Sequence, residues 1–582
     1  MKKCPQCGRE YDNTMMFCLD DGGELLYGPA LSVPPAVAGG ALSGDDEPAT
    51  AIFHSTAAPG EALTRAQIHT TEQTAVLPSG ITEVPKEREF DKRLILAPLA
   101  LAVIFLGGFF GYRYFKPASG GQINSIAVMP FDNRNSDADT DYLSDGLAES
   151  VIFRLTQIPD LRVSPTSSVM RYKGKETDVA KIASELGVDA VMTGRLTKRG
   201  DNLNITVELV DARTNKSLWG EQYERKLSEL LTTQREMVAE IVGKLQLKLS
   251  GESEQKLAKK YTDNNEAYQL FLKGQFYFAK RTNDDVLRSI ESYNQAIALD
   301  PNFALAYIGL ANSYGIMPAY GYASANESFP KTRAAIQRAL AIDPDLAEAH
   351  AAYGKLLAEY EWNWAEAERE FKRSIELNPN VAFTHYQYGL TLLLRLGRFD
   401  EAEREFKRAS DLEPLAVATQ ANFVGVYALA RKNDMAVEQA LKAFKLESGH
   451  PTARFWLGFA YLASGRYTDA ISVCESTLAA DPRNQDCLQV TGYAYAKLGR
   501  RQETEAVIRK FDEIAVKQYS KAYQPAVMYA LLGDKDRAFA GLERSFTARD
   551  WDISMLKVDP FVDYLRGDPR FKDLLKRMNL PE

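Results

Sequence analysis

The chain is 582 residues long, with 45% hydrophobic and 25% charged residues, a length that excludes a single core and calls for several domains. Seventy Lys and Arg stand against 78 Asp and Glu, for a net charge of −8 with no long basic run, so the composition lends no support to nucleic-acid binding. Five cysteines are too few for a disulfide-stapled scaffold.

Three of those cysteines open the chain. Cys4-Pro-Gln-Cys7-Gly8 places two thiolates two residues apart, with a glycine permitting the tight turn behind them. Ten residues on, Cys18-Leu-Asp-Asp21-Gly22 repeats the turn, with Asp21 where a fourth cysteine would stand. Sulfur and carboxylate ligands suit tetrahedral Zn2+, so the metal set read here is Cys4, Cys7, Cys18 and Asp21. Its expected role is structural, because the segment is too small to build a core. The run CPQCGREYDNTMMFCLDDGGELL resembles a minimal zinc ribbon over residues 1–27. No strand and helix of the thioredoxin type surround the CxxC, which makes a redox role the lesser alternative.

Residues 28–90 are rich in Ala, Gly, Pro, Ser and Thr and show no sustained apolar period, the composition of a disordered linker. Leu94 to Tyr112 then runs nineteen residues without a charge. About 20 apolar residues cross a bilayer as a helix, so 94–115 is read as a single transmembrane helix. Aromatics gather at its C-terminal end, as a membrane interface favours. Lys86, Arg88, Lys92 and Arg93 precede the span, and only Arg113 and Lys116 follow it closely. By the positive-inside rule the N-terminus is cytoplasmic and the C-terminal domains are extracytoplasmic.

Residues 123–250 have the texture of an α/β (α+β) domain. A strand is expected over 125–131, then a polar turn. A helix follows over 141–157, with Leu143, Leu147, Val151 and Leu155 four apart on one face. After a short strand near 161–163, a second helix at about 178–186 stops at Gly187. Strands at 189–196, 203–211 and 217–224 are joined by tight polar turns, and Leu203, Ile205, Val207 and Leu209 alternate with polar residues. One helix from about 228 to 250 leads onward. The order and spacing of IAVMPFDNRNSDADTDYLSDGLAESVIFRL, RYKGKETDVAKIASELGVDAVMTGRL and ITVELVDARTNKSLWGEQYERKL resemble the TolB N-terminal-like domain. That resemblance implies a domain set between a membrane span and tetratricopeptide repeats. Such proteins often carry a cytoplasmic kinase, nucleotide cyclase or winged-helix domain, and no such domain is found ahead of this span.

The second half is a helical comb. Prolines after Asp, Asn or Glu fall at 301, 344, 379, 414 and 482, with gaps of 43, 35, 35 and 68 residues. The last gap is twice 34, and Ser448 stands where a proline would fall. A period near 34 residues marks helix–turn–helix repeats stacked into a solenoid. Leu457, Gly458, Tyr461, Gly465, Tyr467, Ala470 and Pro482 form one well-preserved unit, and similar sets recur at 353–371 and 389–409. These residues resemble the tetratricopeptide repeat family, with seven or eight repeats over 264–552 and a C-terminal capping segment over 553–582. The resemblance implies an all-α superhelix with a concave groove for a partner protein or peptide. Cys474 reads as a small buried hydrophobe, and pairing with Cys487 becomes an option if this half is extracytoplasmic.

Chemistry is sparse. Residues 123–250 contain no histidine or cysteine, and the chain has no GxxxxGK[ST], GxSxG or HExxH motif. Asp141, Asp145 and Glu149 begin a helix and could hold a cation, though the helix dipole alone favours acids there. The five histidines are scattered. No catalytic or cofactor-binding residues are assigned. The expected function is a non-catalytic scaffold on a bacterial inner membrane, displaying an extracytoplasmic solenoid to a protein or peptide. The alternative is transmembrane signalling or regulation with the zinc ribbon as cytoplasmic output.

Overall fold

The computed structural model describes residues 2–3, 10–11 and, from 123 to 581, all but 136–137, 176–177, 248 and 518–521. Lys2–Lys3 (β1) and Glu10–Tyr11 (β2) pair antiparallel. Cys4, Cys7, Cys18 and Asp21, the linker 28–90 and the span 94–115 lie outside the described residues. Among the described residues no helix is long and apolar enough to cross a membrane, and no cluster of three or more metal-ligating side chains occurs.

The α/β domain is one mixed sheet with helices. Its strands are Ser125–Val128 (β3), Asp132–Asn133 (β4), Arg162–Val163 (β5), Ala190–Arg199 (β6), Asn202–Asp211 (β7) and Lys216–Lys226 (β8). The order is β5-β3-β6-β7-β8, with β4 also on β6; β3 runs parallel to β5 and β6, while β6, β7 and β8 form an antiparallel meander. Helix Ala138–Leu155 (α1) buries Leu143, Leu147, Val151 and Leu155. In β7 the side carrying Leu203, Ile205, Val207 and Leu209 is buried, while Thr206 and Glu208 face water. Thr166–Val169 (α2) is a single turn, and Val179–Leu186 (α3) is capped by Asp178, which accepts from the Lys181 amide.

The helix expected over 228–250 is two helices. Leu230–Lys244 (α4) ends before Gln246, which adopts a left-handed φ of 53°. Gly251–Ala258 (α5) then restarts under the Ser250 side chain, which accepts from the Ser253 amide. A hydroxyl cap and a reversed backbone outweigh the continuous helical pattern here.

Eight antiparallel helix pairs follow among the described residues. The first is Asn265–Lys280 with Asn283–Leu299, and the second is Ala304–Ile316 with Ala325–Ile342. In the third, Ala347–Leu356 continues as a π-helical turn, Leu357–Glu361, before Trp364–Leu377. The fourth is built alike, Ala382–Gln387 and the π turn Tyr388–Leu393 preceding Phe399–Leu412. Val417–Leu429 with Asn433–Leu446 and Pro451–Ala463 with Tyr467–Ala480 are the fifth and sixth. Gln485–Lys497 with Arg501–Lys517 and Tyr523–Leu531 with Lys535–Ala548 complete the set.

One device recurs at the start of five of these units. Tyr307, His350, His385, Gln420 and Arg454 each reach back six residues to a carbonyl, that of Pro301, Pro344, Pro379, Pro414 and Ser448 respectively, at 2.8–3.5 Å. The proline stops one helix, and a side chain one turn into the next helix satisfies the carbonyl exposed at the stop. Chemically different side chains share the task, since each needs only an N–H or O–H at the right height.

The α/β domain and the early repeats share one core, running from Ile123 to Leu356. A methyl at Gly146 of α1 would sit 2.9 Å from Leu272 Cβ of the first pair, so the absent side chain permits the close approach. Arg154 closes the joint, donating to the Leu257 and Lys259 carbonyls at 3.2 and 2.5 Å.

Candidate interaction site

The first helices of the pairs line the concave side of the superhelix, and the C-terminal segment enters it. Trp551–Met555 and Pro560–Leu565 are 3-10 turns, and Pro569–Arg577 is a short helix. The segment expected to cap the end does cover apolar surface, but much of that surface belongs to the third and fourth pairs. Trp364 Nε1 donates to the Met578 carbonyl at 2.9 Å, and Asn579 Nδ2 to the Trp362 carbonyl at 3.3 Å. Ile553, Leu556, Val562, Leu574 and Met578 are buried in the same core as those pairs. Apolar residues at these positions drive the segment inward, where a polar outer face would have left it on the rim.

The two π-helical turns are where this segment docks. Glu359 in the first accepts from Trp551 Nε1 at 2.9 Å. Arg395, fully buried just beyond the second, donates Nη1 to the Leu390 carbonyl and Nε to Ser554 Oγ at 2.6 Å. Burial pushes the Arg395 guanidinium down to about 10, against the pull of the Glu359 and Asp552 charges. Asp559 accepts from Tyr523 Oη at 2.9 Å, and burial pushes its carboxyl up to about 6.

The concave side is thereby divided into two chambers that share Lys355 in their walls. The larger, about 650 Å3, lies between α1 and the first helices of the early pairs. Aromatic walls dominate it: Phe153, Tyr268, Phe271, Tyr293, Phe303 and Phe383, the last 55% exposed at the edge. Two carboxylates stand among them. Desolvation raises Glu149 and Glu348 each to about 7, with the Asp145 charge adding to the first. Glu149 accepts from Gln275 Nε2 at 3.0 Å.

The smaller chamber, about 360 Å3, is enclosed by the later first helices and the C-terminal segment. Tyr386, Phe455, Trp456, Phe459 and Trp551 wall it, with five carboxylates, Glu359, Asp486, Asp550, Asp552 and Asp559.

The acids grouped at the start of α1 are sent to separate partners. Asp141 accepts from Asn133 Nδ2 at 2.8 Å, Asp145 pairs with Lys173 at 2.5 Å, and Glu149 turns to the chamber. Cys474 and Cys487 are free, buried thiols on neighbouring helices, and the contact with Cys487 together with burial pushes the Cys474 thiol up. Of the histidines, His350 and His385 hold the repeat junctions, each with Nδ1 2.6 Å from a carboxylate, Glu370 or Glu405. The chamber residues Glu149 and Trp551, and Arg395 packed against Trp551, were not assigned from the sequence as binding residues. An arginine inside the apolar run TLLLRLG was the available signal for Arg395.

Residues 122–241 match the family described as HilA/YgeH-like transcriptional regulator, second domain, and residues 430–485 match the tetratricopeptide repeat family. A Rhizobium meliloti (strain 1021) protein provisionally named adenylate cyclase 3 is 30% identical over 187 residues, 32% of this chain and 32% of that protein. The match therefore spans about a third of that relative. Among solved structures, Pseudomonas aeruginosa PilF is 20% identical, covering 38% of this chain and 94% of that one with a TM-score of 0.29. YrrB, titled a TPR protein with an unusual peptide-binding site, is 22% identical over 34% of this chain and 96% of its own, with a TM-score of 0.24. A repeat protein of Parabacteroides merdae ATCC 43184 is 14% identical over 54% of this chain and 100% of its own, with a TM-score of 0.26. The chain thus carries a tetratricopeptide-like superhelix joined to an α/β region, an architecture generally used for protein–protein interaction.

Proposed function

We propose that this chain is a non-catalytic, membrane-anchored interaction scaffold that captures a partner protein or peptide on the concave side of its repeats. The observation that carries the reading is the aromatic chamber of about 650 Å3 between α1 and the early first helices, left open beside the segment that fills the rest of the groove. A concave, mostly apolar pocket with a few polar groups is the usual form of a binding site. In this reading the span at 94–115 anchors the chain in a bacterial inner membrane. The N-terminus is then cytoplasmic, and the α/β domain and repeats are extracytoplasmic. Zn2+ held by Cys4, Cys7, Cys18 and Asp21 stabilises the N-terminal ribbon, and nucleic acid is not a partner.

A photo-crosslinking amino acid at Phe383, on the chamber edge, tests the binding surface in cells. A discrete adduct at 383, with none from the same probe at the exposed positions Met435 or Leu498, is the expected result. Equal labelling at all three positions removes the concave side as the site. Reporter fusions at residues 90 and 582 test the orientation.

The match of 122–241 to the second domain of transcriptional regulators favours one further reading, transmembrane signalling with the ribbon as cytoplasmic output. Deleting residues 1–27 separates the two. Partner capture survives the deletion if the chain is a scaffold, while a signalling output is lost with it.

A further inference from the structure

The larger chamber is polar at two points along one helix. At the first, Glu149 of α1 meets Gln275 of the helix Asn265–Lys280. The Lys259 charge acts on Glu348, the other carboxylate of the wall, whereas only Asp145, of like sign, acts on Glu149. Two amide groups stand beside Glu149 with one side unanswered. Gln234, 2% exposed, donates its Nε2 to the Ser150 carbonyl at 3.2 Å, and Gln275 donates its own to Glu149. Neither Oε1 has a hydrogen-bond partner among the described residues. A buried acceptor without a donor carries a free-energy cost that an incoming N–H relieves. With the Tyr268 and Phe271 rings in the same wall, this end suits an ammonium group.

At the second point stands Arg281, the residue that caps the same helix. Its backbone is left-handed, at φ 61°, and its carbonyl accepts from Tyr322 Oη at 2.7 Å, which fixes where the side chain starts. The guanidinium lies on the Phe278 ring, 3.8 Å from the centroid, and has no carboxylate partner among the described residues. Burial pulls its pKa down, and the groups that oppose this are the phenols of Tyr320 and Tyr293. The other cations of the wall are committed, Arg154 to the Leu257 and Lys259 carbonyls and Lys355 to Glu359. A desolvated guanidinium with N–H groups to offer is complementary to a carboxylate.

Arg281 lies six residues beyond Gln275, about 9 Å along the helix axis. Three residues of extended chain span about 10 Å. The roof of the chamber also limits length. Asn380 Nδ2 donates to the Ile158 and Pro159 carbonyls at 3.3 and 2.8 Å, tying the α/β domain to the start of the fourth pair, as Gly146 packed on Leu272 ties it to the first. We infer that the larger chamber holds a free apolar peptide of about three residues, its ammonium terminus at Glu149, Gln234 and Gln275 and its carboxylate terminus at Arg281. The aromatic walls receive its side chains. The inference rests on the reading of this chamber as the binding surface, and it narrows the partner to a short peptide with both ends free.

Isothermal titration of the full chain at about pH 7, where both peptide termini are charged, tests it with Ala-Phe-Ala in four forms. These are the free tripeptide, its N-acetyl form, its C-terminal amide, and the doubly blocked form. The free tripeptide should bind about tenfold more tightly than either singly blocked form, with the doubly blocked form weakest. Arg281→Met should abolish the penalty for the amide and keep the penalty for the acetyl group, and Glu149→Gln should do the reverse. Equal binding of all four forms overturns the inference and leaves the concave-groove reading standing. A penalty from only one of the two blocks overturns it as well, as do penalties that survive both substitutions. No binding of any form, with the near-ultraviolet spectrum of the folded chain intact, also overturns it, and the crosslink at Phe383 then decides the scaffold reading by itself. The peptide comparison needs no variant, so the test holds even if a substitution unfolds the chain.

Discussion

The guanidinium of Arg395 lies over the ring of Trp551, 4.4 Å from its centroid, joining a first helix of the fourth pair to the segment that follows the eighth. Its Nε also crosses that joint to Ser554, while Nη1 donates to the Leu390 carbonyl within its own pair. Replacing Arg395 with methionine keeps much of the apolar stem but removes the donors to Ser554 and the Leu390 carbonyl and the positive charge near Glu359 and Asp552. Arg395→Met should destabilise the chain by about 2–4 kcal/mol, read as a lowered thermal midpoint.

The ring of Tyr293 is wedged between two glycines. A Cβ at Gly274 would meet it at 2.6 Å and one at Gly309 at 2.4 Å. The ring is 1% exposed and packs against Phe271, so Gly309→Ala should cost about 1–3 kcal/mol. A Cβ at Gly492 is nominally as crowded, at 2.3 Å, but its neighbour is the terminal methyl of Met528, which can swing aside. Gly492→Ala should cost about 1 kcal/mol or less. Urea denaturation of the pair checks the contrast.

Glu149 gives the fold a pH dependence of defined sign. The unfolded chain releases this proton near 4.5, while burial holds it to about 7 in the folded state. Between those values the folded state binds more protons, so stability falls as pH rises, and the penalty is complete above 7. Glu149→Gln should therefore raise stability by about 1–3 kcal/mol at pH 8 and change it little at pH 4.5. Thermal melts at the two values measure the difference.

His350 works in the opposite sense. Both ring nitrogens face acceptors, Glu370 at 2.6 Å and the Pro344 carbonyl at 2.8 Å. Desolvation pulls its pKa down, but these bonds and the Glu370 charge outweigh it, and the net shift is upward from 6.5. The stabilisation is complete below pH 6.5 and is lost as pH rises through the folded value. His350→Ala should cost about 1–2 kcal/mol at pH 5.5 and less at pH 8.5. A cost that is equal at the two values would exclude the charged pair as its source.

What could be read from the sequence was whatever local patterns encode. The prolines at 301, 344, 379 and 414 mark junctions that the structure closes with a side chain six residues on, and Ser448 takes the same place without a ring. The helix ending at Gly187 was legible because Asp178 caps one end and the glycine, at φ 63°, turns the other. Alternation placed β7, and the inward side of Leu203 to Leu209 followed from it. The break at Gln246 was not legible, because a left-handed residue there has no compositional mark. The chambers were hidden for a different reason. Glu149 meets Gln275 and Trp551 meets Glu359 across 126 and 192 residues, distances over which periodicity carries no information.

The bond from Trp364 to the carbonyl of Met578 spans 214 residues. A stack of repeats in which each touches only its neighbours frays inward from either end, and a nascent chain can consolidate it unit by unit. Here the middle of the stack is completed by residues that follow the eighth pair. The third and fourth pairs stay unsealed until the segment around Met578 has been made, and afterwards the late repeats cannot melt without opening the middle. Unfolding across these repeats is thus a single event, and the newly made chain depends on the segment from Trp551 to Arg577 to reach that state.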